Sequence, residues 1–432
     1  MPKGLVKVWD SKQLPADWFR RQQVDQKTTA DLENNVKAII NQVKIEGDKA
    51  LLEFALKFDK AKLTTETLRV SPEEIKAAYQ QVSKEQVAAV EFMKQRVRVF
   101  QKQLLNQTEI KTFNEGIMVQ TVLRPIESVG CYVPGGQAAY PSTVVMTAVP
   151  AKIAGVPRVV VCSPCDAEGK VNPLVLVAAE ICGVDEVYKV GGAQAIAALA
   201  YGTQTVAPVR KIVGPGSKYV TTAKVLVSTE VAIDMPAGPS EVLILADQWA
   251  DSRLVAYDMI SQAEHGTDSV AALITTSQKL ADEVQENLAK LTAVAPRGEK
   301  ISQSLSKYGF IIVCKKSEEA IKLTNQFAAE HLEVMTANAT EIAQKLVAGL
   351  ILIGSYSPVA LSDYGSGTNH VLPTGGFAQA FSGLSAVDYM RRVSIVECSR
   401  EGLEKAKNNI KVLTDTENLP NHYKAIEARF QK

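Results

Sequence analysis

The chain is 432 residues long, 46% hydrophobic and 22% charged, a make-up that suits a globular protein with two or three cores. Its 48 Lys and Arg balance 47 Asp and Glu, so no global field draws it onto nucleic acid or an anionic membrane, and a small-molecule partner is expected. The opening MPKGLVKVWDSKQLPADWF lacks the apolar core of a secretion signal, and no stretch offers the roughly 18 uninterrupted apolar residues of a membrane span, so the expected location is the cytoplasm.

A small N-terminal element is expected over 1–28. The region that follows reads as helical. DLENNVKAIINQV carries apolar residues at helical spacing, and Ser71-Pro72-Glu73-Glu74 is a helix start, with Ser71 as cap, Pro72 in the first turn and Glu74 closing a capping box. After Arg124-Pro125 short β-branched runs alternate with Ala-rich helical stretches. SVGCYV, RVVVC and EVYKV read as strands, separated by the helices STVVMTAVPAKIAG and NPLVLVAAEIC, which is the βαβ pattern of a parallel sheet with both faces covered. A second series has EVLILAD, VAALITT, FIIVC, LEVMT and GLILIG as strands, with SEEAIKLTNQFAAEH among the intervening helices.

The expected fold class is therefore α/β with two doubly wound units. One spans 125–241. The other is discontinuous, 29–124 plus 242–378, and is expected to hold most of the chemistry. Strand signals fade from about residue 379, so 379–432 is expected to be a helical tail beginning FAQAFSGLSAVDY.

The four histidines are His265, His331, His370 and His422, each beside a polar or glycine neighbour rather than in an apolar stripe. A single such residue is more often a surface or hydrogen-bonded structural group, but four in acidic company point to a site. Gln262 and His265 stand three apart at the end of the helical run DSRLVAYDMISQAEHG, on one face, and can share a ligand. Imidazole with oxygen donors suits zinc, and Asp363 and His422 are distant candidates for the same shell, although no HExxH or paired CxxC is present. Glu330-His331, between a helical stretch and a strand, makes an acid/base pair or, alternatively, a solvated Glu beside a capping His.

The cysteines are Cys131, Cys162, Cys165, Cys182, Cys314 and Cys398, too few and scattered for a disulfide framework, and are expected to be reduced. Cys162-Ser-Pro-Cys165 has no second pair, and Cys131 sits inside an apolar strand, so packing is the expected role of each. The GxGxxG fingerprint is absent, since Gly214-Pro-Gly216 and Gly365-Ser-Gly367 lack a third glycine. In VYKVGGAQAIAALAYG, Gly191 and Gly192 join a strand to a helix whose free N–H groups can receive a pyrophosphate.

Taken together, YVPGG, GGAQAIAALAYGT, IVGPG, IDMPAGPSEVL, SQAEHG, AEHLE and DYGSGTNHVLPTGG resemble the histidinol dehydrogenase family, in the family's order, from FALKFD through to His422. The resemblance implies oxidation of L-histidinol through L-histidinal to L-histidine with two NAD, at one zinc ion per subunit. Gln262, His265, Asp363 and His422 match the zinc ligands, which also make the substrate site. Ser240, His370 and Glu417 match further substrate contacts, with His370 in a supporting polar role. His331 matches the base that takes the hydroxyl proton and Glu330 the group that activates water.

Tyr132, Gln194 and Ser217 fall at the family's NAD-contact positions, and Ser217 replaces the usual Asn. The family fold is two related Rossmann-like domains with small terminal elements exchanged in a homodimer, so that active sites are shared between subunits. No nucleic-acid or membrane partner is implied. The competing readings are a paralogous zinc- and NAD-dependent alcohol dehydrogenase for another small substrate, against which Glu417 five residues before His422 argues, and a zinc hydrolase in which Glu330 activates water without nicotinamide.

Overall fold

Apolar side chains on both faces of short β-branched runs leave those runs a single refuge, the interior of a parallel sheet with helices on each side. The computed structural model describes residues 4–16, 18–19, 26–106, 110–135 and 139–431, so Gly136 of YVPGG lies outside the described residues.

In chain order, β1 (Lys7–Asp10) precedes the helices α1 (Gln26–Glu46), α2 (Asp48–Phe54), α3 (Thr65–Leu68), α4 (Pro72–Tyr79) and α5 (Lys84–Leu105). The capping box at α4 forms. Ser71 Oγ accepts the Glu74 N–H at 3.2 Å, and the Glu74 carboxylate accepts the Ser71 N–H at 3.0 Å. An antiparallel hairpin follows, β2 (Ile110–Asn114) and β3 (Ile117–Pro125), turning at Glu115 and Gly116, both with positive φ.

The first parallel sheet has β4 (Ser128–Tyr132), β5 (Arg158–Cys162), β6 (Glu186–Tyr188), β7 (Lys211–Val213) and β8 (Ala232–Ile233) in the order β6-β5-β4-β7-β8. Its crossovers are α6 (Pro141–Ile153), α7 (Pro173–Cys182), α8 (Gly192–Tyr201) and α9 (Lys218–Val227). Strand alternation sends Val129, Cys131, Val159 and Val161 into a core with α4 to α7, and Tyr132, Val160 and Cys162 into a core with α1, α2, α8 and α9.

The second parallel sheet holds β9 (Glu241–Ala246), β10 (Val270–Thr275), β11 (Phe310–Val313), β12 (His331–Met335) and β13 (Leu350–Ile353), in the order β1-β11-β10-β9-β12-β13. Helices α10 (Ser252–Ala263), α11 (Gln278–Val294) and α12 (Gly298–Tyr308) cover one face, and α13 (Ser317–Phe327) and α14 (Ala339–Ala343) the other. The short α15 (Val359–Tyr364) follows β13 on the α10 side. The chain ends in β14 (Met390–Cys398), α16 (Arg400–Thr416) and α17 (Pro420–Glu427).

Three expectations are corrected. The helices of 29–124 do not join 242–378 in one core: Val36, Ile40 and Val43 of α1 and Val90, Met93 and Val97 of α5 pack on the first sheet's helices, because those helices expose apolar stripes that the 125–241 unit needs covered. The N-terminal element belongs to the other unit, where β1 adds a parallel strand beside β11 and Trp18 packs on Phe310 and Phe327. The tail is not all helical, since β14 pairs antiparallel with β3 from Met390 opposite Pro125 to Cys398 opposite Ile117. Among the described residues no helix is long and apolar enough to cross a membrane.

Candidate active site

Strands β9 and β12 lie side by side in register, with His331 opposite Val242, so the residues at their amino ends come together. The residue that opens β9, Glu241, meets both members of the expected acid/base pair, Glu330 and His331, through its own peptide group. Its N–H donates to Glu330 Oε2 at 2.7 Å, and its carbonyl oxygen lies 3.3 Å from His331 Nδ1. A carbonyl only accepts, so the neutral imidazole carries its proton on Nδ1 and presents the lone pair at Nε2. That Nε2 lies 3.7 Å from Asp363 Oδ1, and His370 Nδ1 lies 3.9 Å from the same oxygen. Glu330, His331 and Asp363, all buried, and the half-buried His370 thus form one group, with Glu330 Oε2 3.6 Å from His331 Nδ1.

Burial pushes His331 toward the neutral form, but the carboxylates of Glu330 and Asp363 outweigh it and hold the ring above the ordinary imidazole value. His370 goes the other way. Its burial, with the neighbouring His331 ring, outweighs the carboxylates of Asp363 and Glu330, so it titrates below the ordinary value and is a neutral ring at pH 7.

The other expected ligands are placed differently. Gln262 is buried near the end of α10, with its side-chain nitrogen unpaired. That helix stops at Ala263, capped by Glu264, so His265 stands beyond it on the surface rather than on a shared helical face. His265 and Glu264, with Tyr364 and Gly365 at the end of α15, nevertheless line one cleft of about 830 Å³. Ser240 is half-buried just before β9, whereas Glu417 at the end of α16 and His422 in α17 are both exposed. Within one chain neither tail residue is brought to the buried group by any hydrogen bond or ion pair among the described residues.

The three expected NAD contacts, Tyr132, Gln194 and Ser217, line a second cleft of about 730 Å³ at the carboxyl ends of β4, β6 and β7, where open α/β sheets take ligands. Tyr132 closes β4 and its hydroxyl accepts the Gly192 N–H at 3.0 Å. Burial pushes its phenol up to about 12, so it stays neutral. At Gly214, φ is +114° and an added Cβ would sit 2.2 Å from the Tyr132 carbonyl oxygen, so only glycine permits this approach of the β7 turn to β4. Ser217 stands at the start of α9 with an exposed side chain that caps nothing. Gly135 lines both clefts, so they adjoin. Cys131 is buried in the sheet with its thiol pushed up to about 12 by desolvation, which suits packing rather than nucleophilic attack.

A family model described as histidinol dehydrogenase matches residues 21–430. The chain belongs to the histidinol dehydrogenase family. The histidinol dehydrogenase of Bacteroides thetaiotaomicron is 44% identical over 428 residues, 98% of each chain, and that of Methanocaldococcus jannaschii is 44% identical over 398 residues, 92% of each. The crystal structure of histidinol dehydrogenase from Elizabethkingia anophelis matches with a TM-score of 0.92 at 35% identity, covering 100% of this chain and 99% of that one.

Among the described residues no three His, Cys, Asp or Glu side chains are gathered as a metal-binding group. Three polar atoms nevertheless fit a missing partner: Gln262 Nε2, His331 Nε2 and Asp363 Oδ1 are buried with no hydrogen bond. Sequence reasoning missed Glu241 altogether. Besides its peptide contacts, its carboxylate accepts the Gly375 N–H at 2.9 Å and so ties down the loop that carries His370. The one available signal was a charged residue opening the apolar run EVLILA.

Proposed function

We propose that this chain oxidises L-histidinol through L-histidinal to L-histidine with two NAD, as a zinc-dependent homodimer. The observation that carries the reading is the Glu241 peptide group, which orients Glu330 and His331 together beside Asp363. Gln262, His265 and Asp363 of one chain and His422 of the partner subunit are the zinc ligands of this reading. Bound zinc would hold the imidazole and amino nitrogens of the substrate and act as a Lewis acid. An orphaned oxygen on Asp363 supports that donor set, and the Gln262 amide, whose buried nitrogen is unpaired, would present its oxygen there once turned over.

In the first oxidation His331 Nε2 takes the hydroxyl proton while hydride leaves the carbinol carbon for the nicotinamide of NAD in the adjoining cleft. The proton enters a ring whose Nδ1–H faces the Glu241 carbonyl and the Glu330 carboxylate, so the imidazolium is stabilised as it forms. In the second, Glu330 accepts a proton from water as it adds to the aldehyde carbon. The hydrate then loses its own hydride to a second NAD, leaving the carboxylate. Tyr132, Gln194 and Ser217 bind each NAD in turn, and Ser240, His370 and Glu417 hold the substrate.

The two parallel-sheet units are Rossmann-like in this reading, and the tail crosses to the neighbour. Exposure of Glu417 and His422 supports the crossing, as does the exposed apolar surface of Phe113, Val396, Val412 and Leu413 along the β2-β3-β14 sheet and α16. The test is NADH formation from L-histidinol by protein stripped with a chelator, with and without zinc add-back. Two NADH per histidinol, restored by zinc, supports the reading. No NADH from zinc-loaded protein sinks it.

A further inference from the structure

Glu333 is a buried acidic residue near the site, 1% exposed, and its carboxyl makes contacts that no step above uses. It stands two residues after His331 on β12, so both side chains leave the same face of the sheet. Oε1 accepts the N–H of Val359 at 3.0 Å, the first residue of α15, the helix that carries Asp363. Oε2 is buried and meets no N–H or O–H donor of the protein. The carboxyl of Asp258, on α10 one turn before Gln262, is near enough to the Glu333 carboxyl for the two groups to interact directly.

Two carboxyls that interact in a buried setting do not both stay ionised, so one proton is shared between them and can make an O–H···O bond. Consistent with this, burial and the neighbouring carboxyl lift Glu333 well above the ordinary carboxylate range, and burial lifts Asp258 to about 6.

We propose that the Asp258–Glu333 carboxyl pair is a positioning device that joins β12, α10 and α15 and thereby sets His331, Gln262 and Asp363 relative to one another. The inference rests on the reading above for what those three residues do. Its physical basis is that each connection is short-range. His331 is two residues from Glu333 along a strand, Gln262 is one helical turn from Asp258, and Asp363 is one turn from Val359. A shift of any of the three elements is therefore resisted at one shared point. Groups that orient metal ligands from behind in this way are worth about 10-fold to 100-fold in affinity or activity when removed.

The experiment compares Glu333→Gln with Glu333→Leu. The glutamine keeps an oxygen for the Val359 N–H and offers an NH2 donor to Asp258, whereas the leucine fills the space and makes neither bond. Zinc affinity is read by chelator competition on the stripped protein, alongside KM for NAD and kcat/KM for L-histidinol, at a temperature where circular dichroism shows each variant folded.

We expect Glu333→Gln to stay within about 3-fold of the parent in both readouts, Glu333→Leu to lose about 10-fold or more in zinc affinity and in kcat/KM, and KM for NAD to stay unchanged. Parent-level zinc affinity in Glu333→Leu, or an equal loss in Glu333→Gln, overturns the proposal. Should Glu333→Leu fail to fold, Asp258→Ala at the half-buried end of the pair takes its place, with Asp258→Asn as the conservative partner, and parent-level zinc affinity in Asp258→Ala overturns it likewise. If the parent binds zinc but yields no NADH, the function reading fails while the zinc comparison still decides this one.

Discussion

A single methyl group placed behind Glu330 tests whether the reaction depends on the position of that carboxylate. Gly349 lies just before β13, and its N–H donates to the Ala329 carbonyl at 2.9 Å while the next N–H, of Leu350, donates to the Glu330 carbonyl at 2.9 Å. A Cβ at 349 would sit 2.7 Å from the Glu330 carbonyl oxygen, about 0.7 Å inside the 3.4 Å of ordinary contact. It cannot back away. Pro373 Cδ at 3.3 Å and Leu372 Cβ at 3.4 Å close the other side.

Gly349→Ala must therefore push the Glu330 backbone by several tenths of an ångström, at a cost of about 1–3 kcal/mol in stability for the overpacked site. A displacement of that size at a catalytic group costs on the order of 10-fold to 100-fold in rate. Steady-state NADH formation from L-histidinal reads the hydration step, and the same assay with L-histidinol at the level of a single turnover reads the first oxidation. The aldehyde step should fall further than the alcohol step, because the proposed role of Glu330 lies in the second oxidation. Parent-level kcat on both substrates, in a variant whose thermal unfolding is also unchanged, would refute the claim that this backbone is held rigidly.

Glu330→Gln should impair oxidation of L-histidinal far more than that of L-histidinol, whereas His331→Asn should impair the alcohol step by about 100-fold or more; single-turnover measurements with the pattern reversed would exchange the two roles. Inactive His331→Asn chains mixed with inactive His422→Asn chains should regain about a quarter of parental activity, because half of randomly exchanged dimers are mixed and half of their sites are intact. No recovery after verified exchange means that the tail stays with its own chain. Asp59, half-buried in the cleft lined by Tyr132, Gln194 and Ser217, is lifted by burial from 3.8 to about 6, so its folded form binds a proton more tightly than the unfolded chain. That burden on stability is complete above pH 6 and fades as pH falls toward 4. Asp59→Asn should accordingly raise the melting temperature by about 1–2 °C at pH 8, discounted for partial exposure, with the gain shrinking through pH 6. An equal gain at pH 4.5 would count against it.

Eight strands of the two parallel sheets were legible because they are apolar runs rich in β-branched residues, as in RVVVC and VAALIT, and such runs have no other stable home. The mostly exposed β1 and the two- and three-residue β8 and β7 carried no such signal. Strand β14 was not. In MRRVSIVEC most side chains are exposed and two arginines break the apolar run, and its partner β3 is far away in the chain, so nothing local signals the pairing. The helices of 29–124 were legible as helices but not by destination, since an apolar stripe says that a face is covered and not by which sheet. At the site, Glu330-His331 could be read from adjacency before a strand. Glu241 and the Asp258–Glu333 pair could not, because their roles arise from strand register and helix packing between residues distant in sequence.

Orienting two reactive side chains through a peptide group rather than a third side chain changes what mutation can reach. Any of nineteen amino acids at position 241 supplies the same N–H to Glu330 and the same carbonyl to His331, and proline alone deletes the donor. The alignment of base and carboxylate is therefore insulated from substitution at 241, and is exposed instead to whatever slides β9 against β12. Selection on this site acts through the register of a sheet, and random variation at Glu241 itself should register first in the Gly375 loop that its carboxylate holds.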